Sequence, residues 1–80
     1  MTKNEFFEKV ENGSEIMFMI GDRGFTILNY YDDGPDIGEW NKPETVRKFK
    51  DVESLMKEYQ VEGKSLESYA SNSIRITDYS

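Results

Sequence analysis

Apolar residues recur at helical spacing in two stretches of this chain, and extended runs with strand-like patterning lie between and after them. Phe6, Phe7 and Val10 form one apolar stripe, with Glu8 and Glu11 facing water, and Thr2 with Glu5 has the Thr-x-x-Glu spacing of a capping box. In such a box the hydroxyl accepts a hydrogen bond from the amide three residues on, and the carboxylate accepts one from the cap amide. A first helix is therefore expected over residues 3–11, followed by Asn12-Gly13, which tolerates the left-handed backbone that ends helices.

Ile16-Met17-Phe18-Met19-Ile20 and residues 25–31 flank Gly21-Asp22-Arg23-Gly24, predicting two strands around a tight turn. With Asp22-Arg23 as the turn residues, Ile20 opposes Phe25, Phe18 opposes Ile27 and Ile16 opposes Asn29. These six share one face. Met17, Met19, Thr26, Leu28 and Tyr30 take the other, which is apolar for a surface meant only for water. Asp32-Asp33-Gly34-Pro35 has turn chemistry, and a third strand is expected over residues 36–41, ended by Lys42-Pro43 because proline cannot donate to a ladder. That register sets Trp40 beside Ile27 on the first face and Ile37 beside Tyr30 on the second.

Residues 45–49 add a short extended piece. Asp51 then suits the N-cap of a second helix carrying Val52, Leu55, Met56 and Tyr59 at i, i+3, i+4 and i+7. Val61-Glu62-Gly63 breaks that helix, Ser65 is placed to cap a single turn through Tyr69, and residues 73–77 alternate as a closing strand. The expected fold is α+β in one domain spanning residues 1–80: an N-terminal helix, an antiparallel β-meander, a second helix, a short helical turn and a C-terminal strand joining the sheet.

Composition narrows the chemistry. The 80 residues include no histidine and no cysteine, which removes the commonest near-neutral acid–base group, the thiol nucleophile and the usual transition-metal ligands. No catalytic residue, metal site or cofactor is expected. Ten basic residues against sixteen acidic ones give a net charge of −6, which opposes generic nucleic-acid binding. The longest apolar run, Ile16 to Ile20, falls far short of the roughly 20 residues that cross a bilayer, and the N-terminus lacks the apolar core of a secretory signal. A cytoplasmic protein without membrane association is the expectation, and the absence of cysteine fits a reducing compartment.

Four motifs bear on function. Gly63-Lys64-Ser65 ends like a phosphate-binding loop, but position 58, where the pattern requires glycine, is Glu58, so a turn and a helix cap account for it. Asp32, Asp33, Asp36 and Glu39 form the densest acidic set; their spacing is not that of an EF-hand, and aspartates of this kind serve turns. They remain candidates for an acidic rim that steers basic partners. Lys42, Arg47, Lys48 and Lys50 make the one basic segment, read as the solvated side of an edge strand. The second hairpin face, with Met17, Met19, Leu28, Tyr30 and Ile37, is the candidate contact surface, since methionine adapts its shape and tyrosine adds a hydroxyl to contact area. One helix on each side of the sheet would make both faces core, whereas two helices on one side would leave the other open to a protein partner or to self-association.

Phe6-Phe7 in a capped helix, Glu15-Ile16-Met17-Phe18 before the Gly-Asp-Arg-Gly turn, the run from Phe49 to Leu55 and that from Val61 to Leu66 together resemble a loose group of short acidic α+β proteins of bacteria and phages with no assigned function. The shared residues are caps, turns and core positions, so the resemblance implies the fold and carries no catalytic residue. It also implies a regulatory accessory role of the kind mobile elements carry. The expected function is thus a non-enzymatic protein-binding regulator, one form of which is an acidic inhibitor presenting carboxylates where a partner expects phosphates. A homodimeric structural protein and a small carboxylate-dependent hydrolase are the alternatives.

Overall fold

The computed structural model describes residues 2–30, 32–70 and 73–80. Helix α1 (Lys3–Asn12) starts at the expected capping box, with the Thr2 amide donating to Glu5 Oε1 at 2.7 Å and the Glu5 amide to Thr2 Oγ1 at 3.1 Å. It ends one residue beyond the expected limit, and Gly13 caps it in an extended conformation instead of a left-handed one. The chain there passes straight into the sheet: the Ser14 and Glu15 amides both donate to the Ser80 carbonyl.

Strands β1 (Glu15–Ile20) and β2 (Arg23–Leu28) form the expected antiparallel hairpin, but Gly21-Asp22 make the turn, so Phe18 opposes Phe25 and Ile16 opposes Ile27. Gly21, at φ +60°, occupies the first central position, where a type II′ hairpin turn needs a positive φ. This slip is even. Every side chain keeps its face as a result, and Met17, Met19, Thr26 and Leu28 stay together. Tyr31, expected at the end of the second strand, lies outside the described residues.

Strand β3 (Asp36–Glu39) is displaced by an odd number of residues, because the connection over residues 29–35 is longer than the four-residue loop assumed from Asp32-Asp33-Gly34-Pro35. Ile27 therefore pairs with Ile37, which is completely buried and leaves the candidate contact surface for the core. Trp40 exchanges faces with it. Trp40 and Asn41, the latter at φ +62°, then turn the chain into β4 (Lys42–Lys48), a full strand where a short extended piece was expected. Lys42-Pro43 begins that strand and does not end the previous one; proline is accommodated because β4 lies at the sheet edge. A register break between β3 and β4 is bridged by Thr45, whose hydroxyl accepts from the Glu39 amide at 2.8 Å and donates to the Lys42 carbonyl at 2.7 Å.

Helix α2 (Val52–Glu58) is capped by Asp51, whose carboxylate accepts from the Ser54 amide at 2.8 Å. A small hairpin of β5 (Gln60–Val61) and β6 (Lys64–Ser65) follows, absent from the sequence expectation, and leads into a 3-10 turn at Leu66–Tyr69. Ser65 stands at the cap position of that turn but makes no side-chain capping bond; it accepts at its carbonyl from the Ser68 hydroxyl at 2.6 Å. Strand β7 (Ile74–Tyr79) joins the sheet antiparallel to β1, giving the order β4-β3-β2-β1-β7.

The core is a single cluster. Phe6 and Val10 of α1 and Val52, Leu55 and Met56 of α2 pack with Ile16, Phe18, Ile20, Phe25, Ile27 and Ile37 of the sheet. Phe18 sits between Phe6, edge-on at 5.4 Å, and Phe25, stacked at 5.4 Å, which ties α1 to two strands. Both helices thus share one side of the sheet, and among the described residues no helix covers the other. Among the described residues no helix is long and apolar enough to cross a membrane.

Candidate functional site: the open sheet face

Strand alternation sends every second side chain of the sheet away from the helices. Met17 and Met19 of β1 lie opposite Thr26 and Gly24 of β2, Leu28 lies opposite Asp36, and Gly38 of β3 lies opposite Thr26. Two glycines in the middle of strands leave space that larger neighbours fill. Trp40 covers Gly24 so closely that a Cβ there would fall 2.1 Å from the indole ring, and Val46 covers Gly38 in the same way at 2.7 Å. The indole Nε1–H donates to Thr26 Oγ1 at 3.1 Å, which satisfies the ring's polar edge while its apolar plane lies on the sheet. Met17, Thr26, Leu28, Gly38, Trp40 and Val46 line a broad depression of about 400 Å³.

Of the five expected contact residues, the structure places Met17, Met19 and Leu28 on this face, each half-buried. Ile37 is in the core. Tyr30 lies beyond Leu28, the last paired residue of β2, and is 55% exposed. Trp40 and Val46 were missed. Their signal was Gly24 and Gly38, because a glycine within a strand marks a place where another group approaches closely.

The four acidic candidates do not converge. Asp36, opposite Leu28, borders the open face and lies 3.9 Å from Lys48, whose ammonium also meets Asp33 at 3.3 Å and donates to the Gly34 carbonyl at 3.1 Å. Glu39 belongs to the other side of the sheet, where Arg23 grips it with two hydrogen bonds of 3.1 and 2.8 Å and Lys42 adds a contact at 3.5 Å. The Arg23 guanidinium holds the Glu39 carboxyl below its ordinary range, and Glu39 raises Arg23 in return. Asp32 is exposed. Lys42, Lys48 and Arg23 therefore interrupt the proposed acidic rim, and among the described residues no group of three or more carboxylates could hold a metal ion. The basic segment is likewise divided along the edge strand, with Arg47 stacked over the Phe49 ring at 5.2 Å. Gly63-Lys64-Ser65 forms the turn and second strand of the small hairpin.

Charge on the open face is placed by β7. Arg75 pairs with Met19, and its guanidinium reaches the Met19 sulfur at 3.2 Å, whereas Asp78 pairs with Met17 at the other end of the strand. Comparison with known protein families, characterised proteins and solved structures gave no match to this chain.

Proposed function

We propose that the protein acts through protein–protein contact at its open sheet face, in a non-enzymatic, regulatory role. The observation that carries this reading is the placement of both helices on one side of the sheet, which leaves Met17, Leu28, Trp40 and Val46 around a shallow depression, with Met19 further along β1 on the same face. Full burial of such side chains contributes about 1.5–3 kcal/mol each before the costs of association. Flexible methionines beside a rigid indole suit a protein surface. Asp33, Asp36 and Glu39 are engaged with Lys48, Arg23 and Lys42, an arrangement that serves structure better than acid–base work. A cytoplasmic setting accords with a cysteine-free chain, and a regulatory role accords with the resemblance to short acidic proteins of bacteria and phages.

A photoreactive amino acid placed at Met17 tests the proposal in extracts of the native host, with the same group at Glu53 on the exposed side of α2 as control. The expected result is a discrete protein adduct at Met17 only, lost when Leu28→Glu is added. Adducts of equal yield at both positions, or none, would refute it.

A further inference from the structure

We infer that the partner seated on the open face is a second copy of this chain, packed sheet to sheet about a two-fold axis that runs across the strands. The inference rests on the functional reading above and names its occupant. Two observations carry it, the charge layout of the face and its area.

The strands run antiparallel, so each end of the sheet collects defined residues. One end of the open face holds Glu15, Leu28, Asp36 and Lys48, with Asp78 one pair further in beside Met17; the other holds Met19, Gly24 and Arg75. A two-fold axis across the strands turns the second copy end for end while keeping each strand over its own counterpart. Arg75 of each copy then comes to lie over Asp78 of the other, twice by symmetry. Met17 and Met19 of one copy likewise meet Met19 and Met17 of its mate at the centre. The other possible axis, along the strands, would instead lay β7 over β4 and part Arg75 from Asp78. The Arg75–Asp78 match favours the first arrangement, and its strands stay aligned as in stacked sheets.

Five strands about 4.8 Å apart, each about six residues long at 3.3 Å per residue, present roughly 400 Å² of projected face per copy. Two copies together would bury on the order of 1,000 Å² of accessible surface, close to the lower bound for a specific association. The dimer is therefore expected to be weak and reversible.

Sedimentation of the full chain over a range up to about 1 mM tests this, since an interface of such size supports association in the micromolar to millimolar range. Wild type is expected to show a monomer–dimer equilibrium that Met17→Glu abolishes. Arg75→Glu alone and Asp78→Arg alone are each expected to weaken the dimer about tenfold, because each sets like charges against one another at both contacts. An equimolar mixture of these two variants should recover association, since opposite charges then meet at both contacts of the mixed dimer. Arg75 and Asp78 are exposed, so each variant is expected to keep the fold, which circular dichroism checks.

A monomer throughout the range, a dimer indifferent to Met17→Glu, or a mixture no stronger than its separate components would overturn the inference. Photo-crosslinking at Met17 separates this failure from failure of the functional reading. An adduct of twice the 9.4 kDa chain mass supports the second copy. A Leu28-dependent adduct of different mass overturns the second copy and leaves protein binding standing, and no adduct either in extracts or with the purified chain at about 1 mM removes both.

Discussion

The Arg23–Glu39 pair shows what a single contact does to the charge of this protein. Glu39 has only 10% of its side chain exposed, and the two hydrogen bonds from Arg23 favour its charged form, so its folded pKa lies below the ordinary value of 4.5. The unfolded chain consequently takes up a proton at higher pH than the folded one. Stability from this group is fully present above the ordinary glutamate value and is lost as pH falls through that value and below it. Glu5 and Asp51, held down by hydrogen bonds from backbone amides at the starts of the two helices, act with the same sign. Glu39→Gln should thus flatten the acid limb of the stability profile without abolishing it. Urea titrations at about pH 7 and about pH 3 check this: the deficit of the variant against wild type should shrink at the lower pH, and an equal deficit at both would show that ionisation of Glu39 contributes nothing. Such partnerships were illegible in the sequence, where Arg23 looked like a turn residue and Glu39 like part of an acidic set. Sixteen residues separate the two, and only the pairing of β2 with β3 brings them together.

At the scale of elements, neighbouring residues of β1 have opposite fates. Phe18 is completely buried between two aromatic rings, whereas Met17 lies half-exposed on the far side of the same strand. Phe18→Ala should cost about 3–5 kcal/mol, against a total stability of about 4–12 kcal/mol for a chain of this length. Met17→Glu should change stability by no more than about 1 kcal/mol. Denaturant unfolding of the two variants measures both, and comparable losses would mean that the open face is part of the core. The elements themselves were largely legible because their signals are local. Thr2 with Glu5, Asp51 with the spacing of Val52, Leu55 and Met56, and the glycine-flanked turn after Ile20 each act within a few residues. Register was less so. A two-residue slip at the first turn was harmless to facing, but the odd shift after residues 29–35 sent Ile37 inward and Trp40 outward, since one residue more or less in a loop reverses every side chain beyond it.

For the whole molecule, the side on which each helix packs decides whether a binding surface exists, and an apolar stripe cannot reveal that. The stripes of α1 and α2 fit either face of the sheet; they meet on one because Phe6, Leu55 and the aromatic ring set build a single core there. What remains outside is a patch on a chain of net charge −6, and this combination makes self-association depend on salt in a defined direction. Two such copies repel over the whole molecule, with a screening length of about 30 Å at 0.01 M salt and about 10 Å at 0.1 M. The repulsion spans the molecular dimensions of 29 × 27 × 22 Å, so it is strong in the first condition and mostly screened in the second. The two Arg75–Asp78 contacts act over a few ångströms and, once water is excluded around them, lose far less. Apolar burial does not weaken with added salt. Dimerisation should therefore tighten several-fold as sodium chloride rises from about 0.01 to about 0.1 M, with Met17→Glu remaining monomeric throughout. Sedimentation equilibrium across that range provides the measurement. Loosening over the same interval would mean that paired charges, and not the methionine and tryptophan patch, hold the copies together, and the sheet-to-sheet arrangement would lose its driving force.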